Sequence, residues 1–220
     1  YEVDAVIHFA GSIVVPDSVT DPLGYYLNNT VKTRELLAAA VAHAVPRFIF
    51  SSTAAVYGTP EIVPVTEDTV LAPISPYGSS KLMTEWMLRD AAAAHDLRYT
   101  ALRYFNVAGA DPDRQIGECH RPETHLIPLA LDAIRGRRDH LTIFGTDYAT
   151  PDGTCIRDYV HVLDLVDAHI KGLEYLLNGG DSAVFNLGTG RGFSVREVID
   201  AVGEVCETPV PVVEGARRPG

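Results

Sequence analysis

Positive charge is scarce in this chain. Its 18 lysines and arginines face 29 aspartates and glutamates, a formal net charge of −11 over 220 residues. That balance argues against a nucleic-acid groove and against an anionic membrane surface as partners. A small anionic ligand is still compatible with it, because a few arginines brought together reverse the sign of a cleft. Cysteine is scarce as well: Cys119, Cys155 and Cys206 are odd in number and scattered. They imply no disulfide framework, and a reducing, cytoplasmic setting is the expectation. No apolar run approaches the ~20 residues of a membrane-spanning helix. No signal-peptide pattern, internal repeat or low-complexity tract is visible.

What is present is a 46% hydrophobic chain, enough for a sizeable core. Short apolar runs alternate with helical stretches, the pattern of a parallel sheet covered by helices. Strands are expected near 3–9, 47–51 and 98–104. The intervening helices are expected near 22–44, opened by Asp21-Pro22, and near 76–95. After Asn106 the texture becomes polar and rich in Gly, Pro and Asp. Further helices are expected near 125–136, 162–178 and 194–206, with strands near 141–144, 158–161 and 184–187. This divides the chain into a sheet part, 1–107, and a smaller α/β part, 108–220, with 158–178 packing back on the first sheet. The first strand runs into the turn at Gly11, and the last residues are Arg217-Arg218-Pro219-Gly220. A piece of a longer enzyme is expected.

Chemistry is concentrated in Tyr77-Gly78-Ser79-Ser80-Lys81. Tyr and Lys at i and i+4 share a helix face. A free tyrosine has a pKa of about 10, so serving as a base near neutrality needs about 4 kcal/mol of stabilisation of the phenolate. A neighbouring ammonium and hydrogen bonds to the phenolate are the expected sources. Tyr77 falls in a first helical turn after Pro76, where a βα loop delivers residues to a sheet's carboxyl edge. The hydroxyls of Ser51, Ser52 and Thr53 end the preceding strand at that same edge. Gly11 ends the first strand and would let a ligand approach the backbone closely.

The runs HFAG (8–11), NN (28–29), FSSTAAVYG (50–58), SPYGSSK (75–81), LRYFNVAGA (102–110), DGTCIRDYVHVLDL (152–165) and NLGTG (186–190) resemble the extended short-chain dehydrogenase/reductase superfamily. Within it they are most similar to the NAD-dependent nucleotide-sugar epimerases. The resemblance covers almost the whole chain. It implies a Rossmann-like, doubly wound parallel sheet with a smaller substrate-binding domain, and a homodimer. The implied reaction is reversible epimerisation of UDP-glucose and UDP-galactose at carbon 4 through a 4-keto intermediate, with tightly held NAD. Epimerases of UDP-arabinose, UDP-glucuronate or UDP-N-acetylglucosamine are the alternatives within the enzymes. A non-catalytic NAD or nucleotide-sugar binder is the alternative outside them. A dehydratase would carry a carboxylate beside Thr53, where this chain reads Ala54-Ala55-Val56.

By the same resemblance, Tyr77 is the catalytic base, Lys81 its partner and a ribose ligand, and Thr53 a hydrogen-bonding group for the reacting hydroxyl. Phe9, Ala10, Gly11, Asn28, Ser51, Ser52 and Phe105 contact the cofactor. Asn106, His125, Leu126, Thr142, Ile143, Phe144, Arg157 and Arg218 contact the UDP-sugar, the two arginines gripping its diphosphate. Two features depart from the pattern: Ile13 stands where many members carry Lys, and the Gly-rich phosphate loop lies upstream of the residues given.

Cys119, His120, Glu123 and His125 invite a metal reading. No second Cys-x-x-Cys or paired-His motif supports one, so no metal site is expected, and His125 is placed at the ligand cleft or as a helix cap. The turn Gly188-Thr189-Gly190-Arg191-Gly192 lacks a Walker lysine and reads as a strand-to-helix turn.

Overall fold

The computed structural model describes residues 2–218. In chain order the elements are β1 (Val6–His8), α1 (Val15–Thr20), α2 (Pro22–Tyr25), a π-helical segment (Tyr26–Val31), α3 (Lys32–Ala42), β2 (Arg47–Ser51), a 3-10 turn (Ala54–Tyr57), α4 (Pro76–Ala94), β3 (Arg98–Tyr104) and β4 (Asn106–Ala108). They continue with α5 (Leu126–Ile134), β5 (Leu141–Phe144), β6 (Ile156–His161), α6 (Val162–Leu177), β7 (Ala183–Leu187), β8 (Gly192–Ser194), α7 (Val195–Val205) and β9 (Val212–Gly215). Two compact units result: residues 2–105 with 163–188, and residues 106–162 with 189–218. Strand β7 therefore belongs with the first unit.

The first unit is built on a parallel sheet in the order β1-β2-β3-β7. Its central strand β2 reads Arg-Phe-Ile-Phe-Ser and is apolar on both faces, as a strand covered on two sides must be. Phe48 and Phe50 turn to one face, with Leu37 and Ala40 of α3, Leu88 of α4, and Tyr99 and Ala101 of β3. Ile49 turns to the other, with Leu102 and with Leu176 of α6. Each fully buried Phe, Ile or Leu among them contributes about 1.5–3 kcal/mol. Helices on both faces of a parallel sheet make the α/β, Rossmann-like arrangement that the alternating runs imply.

Helix α4 starts sharply. Ser75 is its N-cap and accepts from Gly78 N at 3.2 Å, and Pro76 occupies the first turn. The stretch expected as one helix at 22–44 is instead α2, the π-helical turns and α3. A π-helical turn inserts an extra residue and re-aims the side chains around it, and here the inserted turns carry Asn28 and Asn29.

In the second unit, β4 pairs parallel with β6, β8 pairs antiparallel with β6, and β5 pairs parallel with β9. The strands β4, β8 and β9 are not among those expected from the sequence. Ala130 and Ala133 of α5, Leu141 and Ile143 of β5, and Ile199 of α7 form its core. Ser194 and Glu197 close a capping box at α7. Among the described residues, no helix is long and apolar enough to cross a membrane.

Candidate active site

The carboxyl ends of β1 and β2 and the first turns of α4 converge in the first unit. Gly78 lets α4 settle on the turn after Thr53: a Cβ there would meet the Ala55 carbonyl oxygen at 2.7 Å. This close approach brings the Tyr77 phenol beside the Thr53 hydroxyl, near enough for Thr53 to favour the phenolate. Thr53 Oγ1 also accepts from Ala55 N at 3.1 Å, which holds its position.

One turn along α4, Lys81 is only 3% exposed. Its Nζ donates to the Ser51 carbonyl oxygen at 3.0 Å and lies 5.0 Å from the centroid of the Phe50 ring. Burial pulls the Lys81 ammonium down to about 8. Tyr77 moves the opposite way. Burial pushes it up to about 12, the neighbouring Tyr104 adds to the rise, and the Thr53 hydroxyl opposes it. With the residues of this chain alone, the Tyr77 phenol is therefore raised rather than lowered. Desolvation of the phenolate outweighs the help from Thr53, and the Lys81 ammonium is directed at a backbone carbonyl.

The serines beneath are fully engaged. Ser51 Oγ lies 2.8 Å from Nε2 of His169, whose Nδ1 bonds the Leu165 carbonyl at 2.8 Å. Ser52 Oγ donates to Glu85, one turn beyond Lys81. Glu85 in turn holds Arg103, with Nη2 at 2.6 Å and Nε at 3.1 and 3.2 Å from its oxygens. Arg103 also donates to Tyr57 Oη at 2.9 Å, and that hydroxyl donates to Asn186 at 2.7 Å. Tyr77, Lys81 and Glu85 thus form one helix stripe, with the last member anchoring the stripe to β3.

On the β1 side, Gly11 faces Asn29 and Lys81; a Cβ on it would meet Asn29 Oδ1 at 3.2 Å and Lys81 Nζ at 3.4 Å. Asn29 is buried and grips Ser12 through both backbone groups, N at 2.7 Å and O at 2.9 Å, and reaches Ser80 Oγ at 3.1 Å. Asn28 takes the outer position, bonding Ser12 Oγ and Lys32, each at 2.9 Å. Sequence reasoning picked Asn28 and passed over Asn29, Glu85, Arg103 and His169. The doubled asparagine was a signal, but only the helical geometry separates the two. Phe9 is 55% exposed and packs on the His169 ring at 4.6 Å, beside the exposed Ala10. Phe105, half-buried, donates its N–H to Leu187 O at 3.4 Å.

The remaining expected residues lie in the second unit. Asn106 is exposed and begins β4, opposite Tyr159 of β6. Arg157 and Arg218 both act on the charge of Tyr159, whose pKa is raised by burial and held back by the two guanidinium groups. Arg218 sits 5.6 Å from the centroid of Phe144, while Arg217 is bound to Asp147 at 2.8 Å and stacked on Tyr148. On β5, Thr142 and Phe144 are accessible, whereas Ile143 is core and offers a ligand only its backbone. His125 occupies the N-cap position of α5 without a side-chain cap bond; its ring turns to Glu118. Leu126 packs on the core. The Thr189–Gly190 turn is pinned by Asp158, which accepts from Thr189 N, Thr189 Oγ1 and Gly190 N at 2.8–2.9 Å.

Residues 1–188 match the model of the NAD dependent epimerase/dehydratase family. The chain belongs to that family. Similar relatives include a UDP-glucose 4-epimerase of Azospirillum brasilense, 59% identical over all 220 residues, of which this chain spans 63% of the length. Among solved structures, UDP-glucose 4-epimerase from Brucella ovis in complex with NAD superposes with a TM-score of 0.95 at 52% identity, over 99% of this chain and 67% of that one. The enzyme from Bifidobacterium longum in complex with NAD+ and UDP gives 0.95 at 41%, over 100% and 66%. As a family member the chain carries the Rossmann-like sheet on which the Tyr77 stripe and the Gly11 turn are mounted.

Proposed function

We propose that the protein to which this chain belongs interconverts UDP-glucose and UDP-galactose at carbon 4. The observation that carries this reading is the placement of Tyr77 beside Thr53, with buried Lys81 one turn further along α4, at the carboxyl edge of a parallel sheet. The names of the relatives supply the substrate class. NAD fits the groups present: the side-chain-free Gly11 turn lets Asn29 and the Lys81 ammonium close up on the exposed end of β1, where a ligand ribose could be held. When bound, NAD supplies the hydride acceptor for carbon 4, returns the hydride, and adds a positive charge near Tyr77.

In this reading Tyr77 removes the proton from the sugar 4-hydroxyl while Thr53 hydrogen-bonds that oxygen. Lys81 stabilises the phenolate and holds a cofactor ribose hydroxyl. Phe9, Ala10, Gly11, Ser51, Ser52 and Phe105 line the cofactor side, joined by Asn28 and, more directly at the Gly11 turn, Asn29. Arg157 and Arg218 hold the diphosphate. Asn106, Leu126, Thr142, Phe144 and the backbone of Ile143 hold the rest of the UDP-sugar, while the His125 ring turns away to Glu118. No net oxidant is needed, because the keto-sugar is re-reduced in the same pocket.

A homodimer through α3 and α4 belongs to the same reading. Leu37, Ala38, Val41, Met87 and Ala91 line an apolar groove between these helices. A cytoplasmic setting agrees with three free cysteines. The test is conversion of UDP-galactose to UDP-glucose by the full-length protein with no added oxidant, run beside UDP-N-acetylgalactosamine. Absence of conversion at saturating NAD sinks the reading.

A further inference from the structure

The segment before α5 contains the sequence Glu118-Cys119-His120 and, three residues after His120, Glu123-Thr124-His125: Glu-x-His twice. Folding brings the two copies face to face. His120 Nδ1 lies 3.1 Å from Glu118 Oε1 and 3.8 Å from Glu123 Oε2. His125 Nδ1 lies 3.3 Å from Glu123 Oε1 and contacts Glu118 Oε1 more closely still. The imidazole rings meet edge to face at 5.0 Å. One donor atom from each of the four residues fits within 4.8 Å of the others. Cys119, the residue the sequence pattern suggests as a ligand, is exposed and outside this set.

From this geometry we infer that Glu118, His120, Glu123 and His125 form a binding site for a zinc-like divalent cation. Four-coordinate zinc with bonds of about 2.0–2.1 Å places its ligand atoms about 3.3 Å apart. His120–Glu118 at 3.1 Å and His125–Glu123 at 3.3 Å lie near that spacing, His125 and Glu118 are closer, and the four donor atoms lie within 4.8 Å of one another, so modest side-chain shifts would seat the ion. Two imidazoles and two carboxylates form a donor set suited to Zn2+ and disfavoured by the all-oxygen preference of Mg2+ and Ca2+. A dication would neutralise the two carboxylates that now crowd two imidazoles. The N–H groups of His125 and Thr124 donate to Glu123 at 2.8 and 2.7 Å and fix the position of its carboxyl group. Four protein ligands close the coordination sphere, as in structural sites, so the ion would staple residues 118–125 at the start of α5 rather than activate water.

The test is direct and independent of the epimerase reading. Full-length protein is freed of metal and titrated with Co2+, followed by visible absorption and then by displacement with Zn2+. One four-coordinate cobalt per chain, displaced by one zinc, is expected. His120→Ala and Glu123→Gln should each weaken binding by more than the roughly 10- to 100-fold that loss of an outer-shell partner costs, and His43→Ala should leave it unchanged. His120→Asn provides a second variant of similar shape, and circular dichroism verifies folding. Binding that survives His120→Ala and His120→Asn, or wild-type protein that takes up no cobalt, overturns the site.

Discussion

Lys81 donates its ammonium to the carbonyl oxygen of Ser51 at 3.0 Å, across 30 residues of chain. That bond ties helix α4 to the end of β2 and keeps the ammonium in a buried place where its pKa falls to about 8. A lysine with a depressed folded-state pKa binds fewer protons folded than unfolded between that value and its usual 10.5. Stability therefore rises with pH through this window. We expect cofactor-stripped protein to gain up to about 3 kcal/mol from Lys81 between pH 8 and 10.5. Tyr77, raised to about 12, has the opposite sign but acts only above its unfolded value of 10. Urea unfolding at pH 7.5 and 9.5 should show the rise in wild type and a flatter response in Lys81→Met. Equal slopes would contradict the burial of the charge.

Replacing the phenol removes the proposed base without opening a large cavity. Tyr77→Phe should lower kcat by about 10²–10⁴-fold, with NAD still bound. Steady-state turnover of UDP-galactose and the absorbance of the retained cofactor measure the two quantities separately. Near-normal kcat would remove Tyr77 from the chemistry.

The two adjacent asparagines should behave differently. Asn29→Ala leaves the buried Ser12 backbone without its partners and should cost about 1–3 kcal/mol. Asn28→Ala loses only part-buried or exposed bonds and should cost less than about 0.5 kcal/mol. Chemical denaturation of both variants decides the order, and a reversed order would show that the π-helical segment faces the other way.

Glu85 and Arg103 are about 5% exposed and bonded at 2.6 Å. Deleting one charge strands the other, so Glu85→Gln should destabilise the protein by about 3–5 kcal/mol. The double variant Glu85→Met, Arg103→Met should recover part of that loss. A double-mutant cycle in urea checks both, and strict additivity would deny the coupling.

Gly78 sets two effects against each other. Alanine improves helix propensity by about 1 kcal/mol, but its Cβ would meet the Ala55 carbonyl at 2.7 Å and Pro73 at 3.0 Å. Overpacking against backbone costs about 1–3 kcal/mol, so Gly78→Ala should destabilise on balance. It should also lower kcat, because the first turn of α4 is pushed away from Thr53. Thermal unfolding and turnover read the two consequences, and a stabilised, fully active variant would refute the tight contact.

Much of the fold was legible because it is encoded between near neighbours. The apolar runs at β2 and β3, the Ser75-Pro76 helix start and the four-residue spacing of Tyr77 and Lys81 all express periods that a sequence displays. Elements such as β4, β8 and β9 were not legible: β4 follows β3 with no break in the sequence pattern, β8 and β9 sit among Gly and Pro, and only their partner strands define them. The helix expected at 22–44 hid a π-helical segment, because a widened backbone hydrogen-bonding turn has no residue-type signature of its own.

By itself, then, the sequence determined the α/β alternation, the helix start that carries Tyr77, and the hydroxyl cluster at the end of β2. Tertiary structure decided the rest: Asn29 over Asn28 at the Gly11 turn, Glu118 in place of Cys119 among the paired histidines, and a Tyr77 pKa that rises instead of falling. The reason is desolvation and contact between distant segments. Ser51 meets His169 across 118 residues, and how much water each charged group loses depends on neighbours of that kind, which local spacing along the chain does not specify.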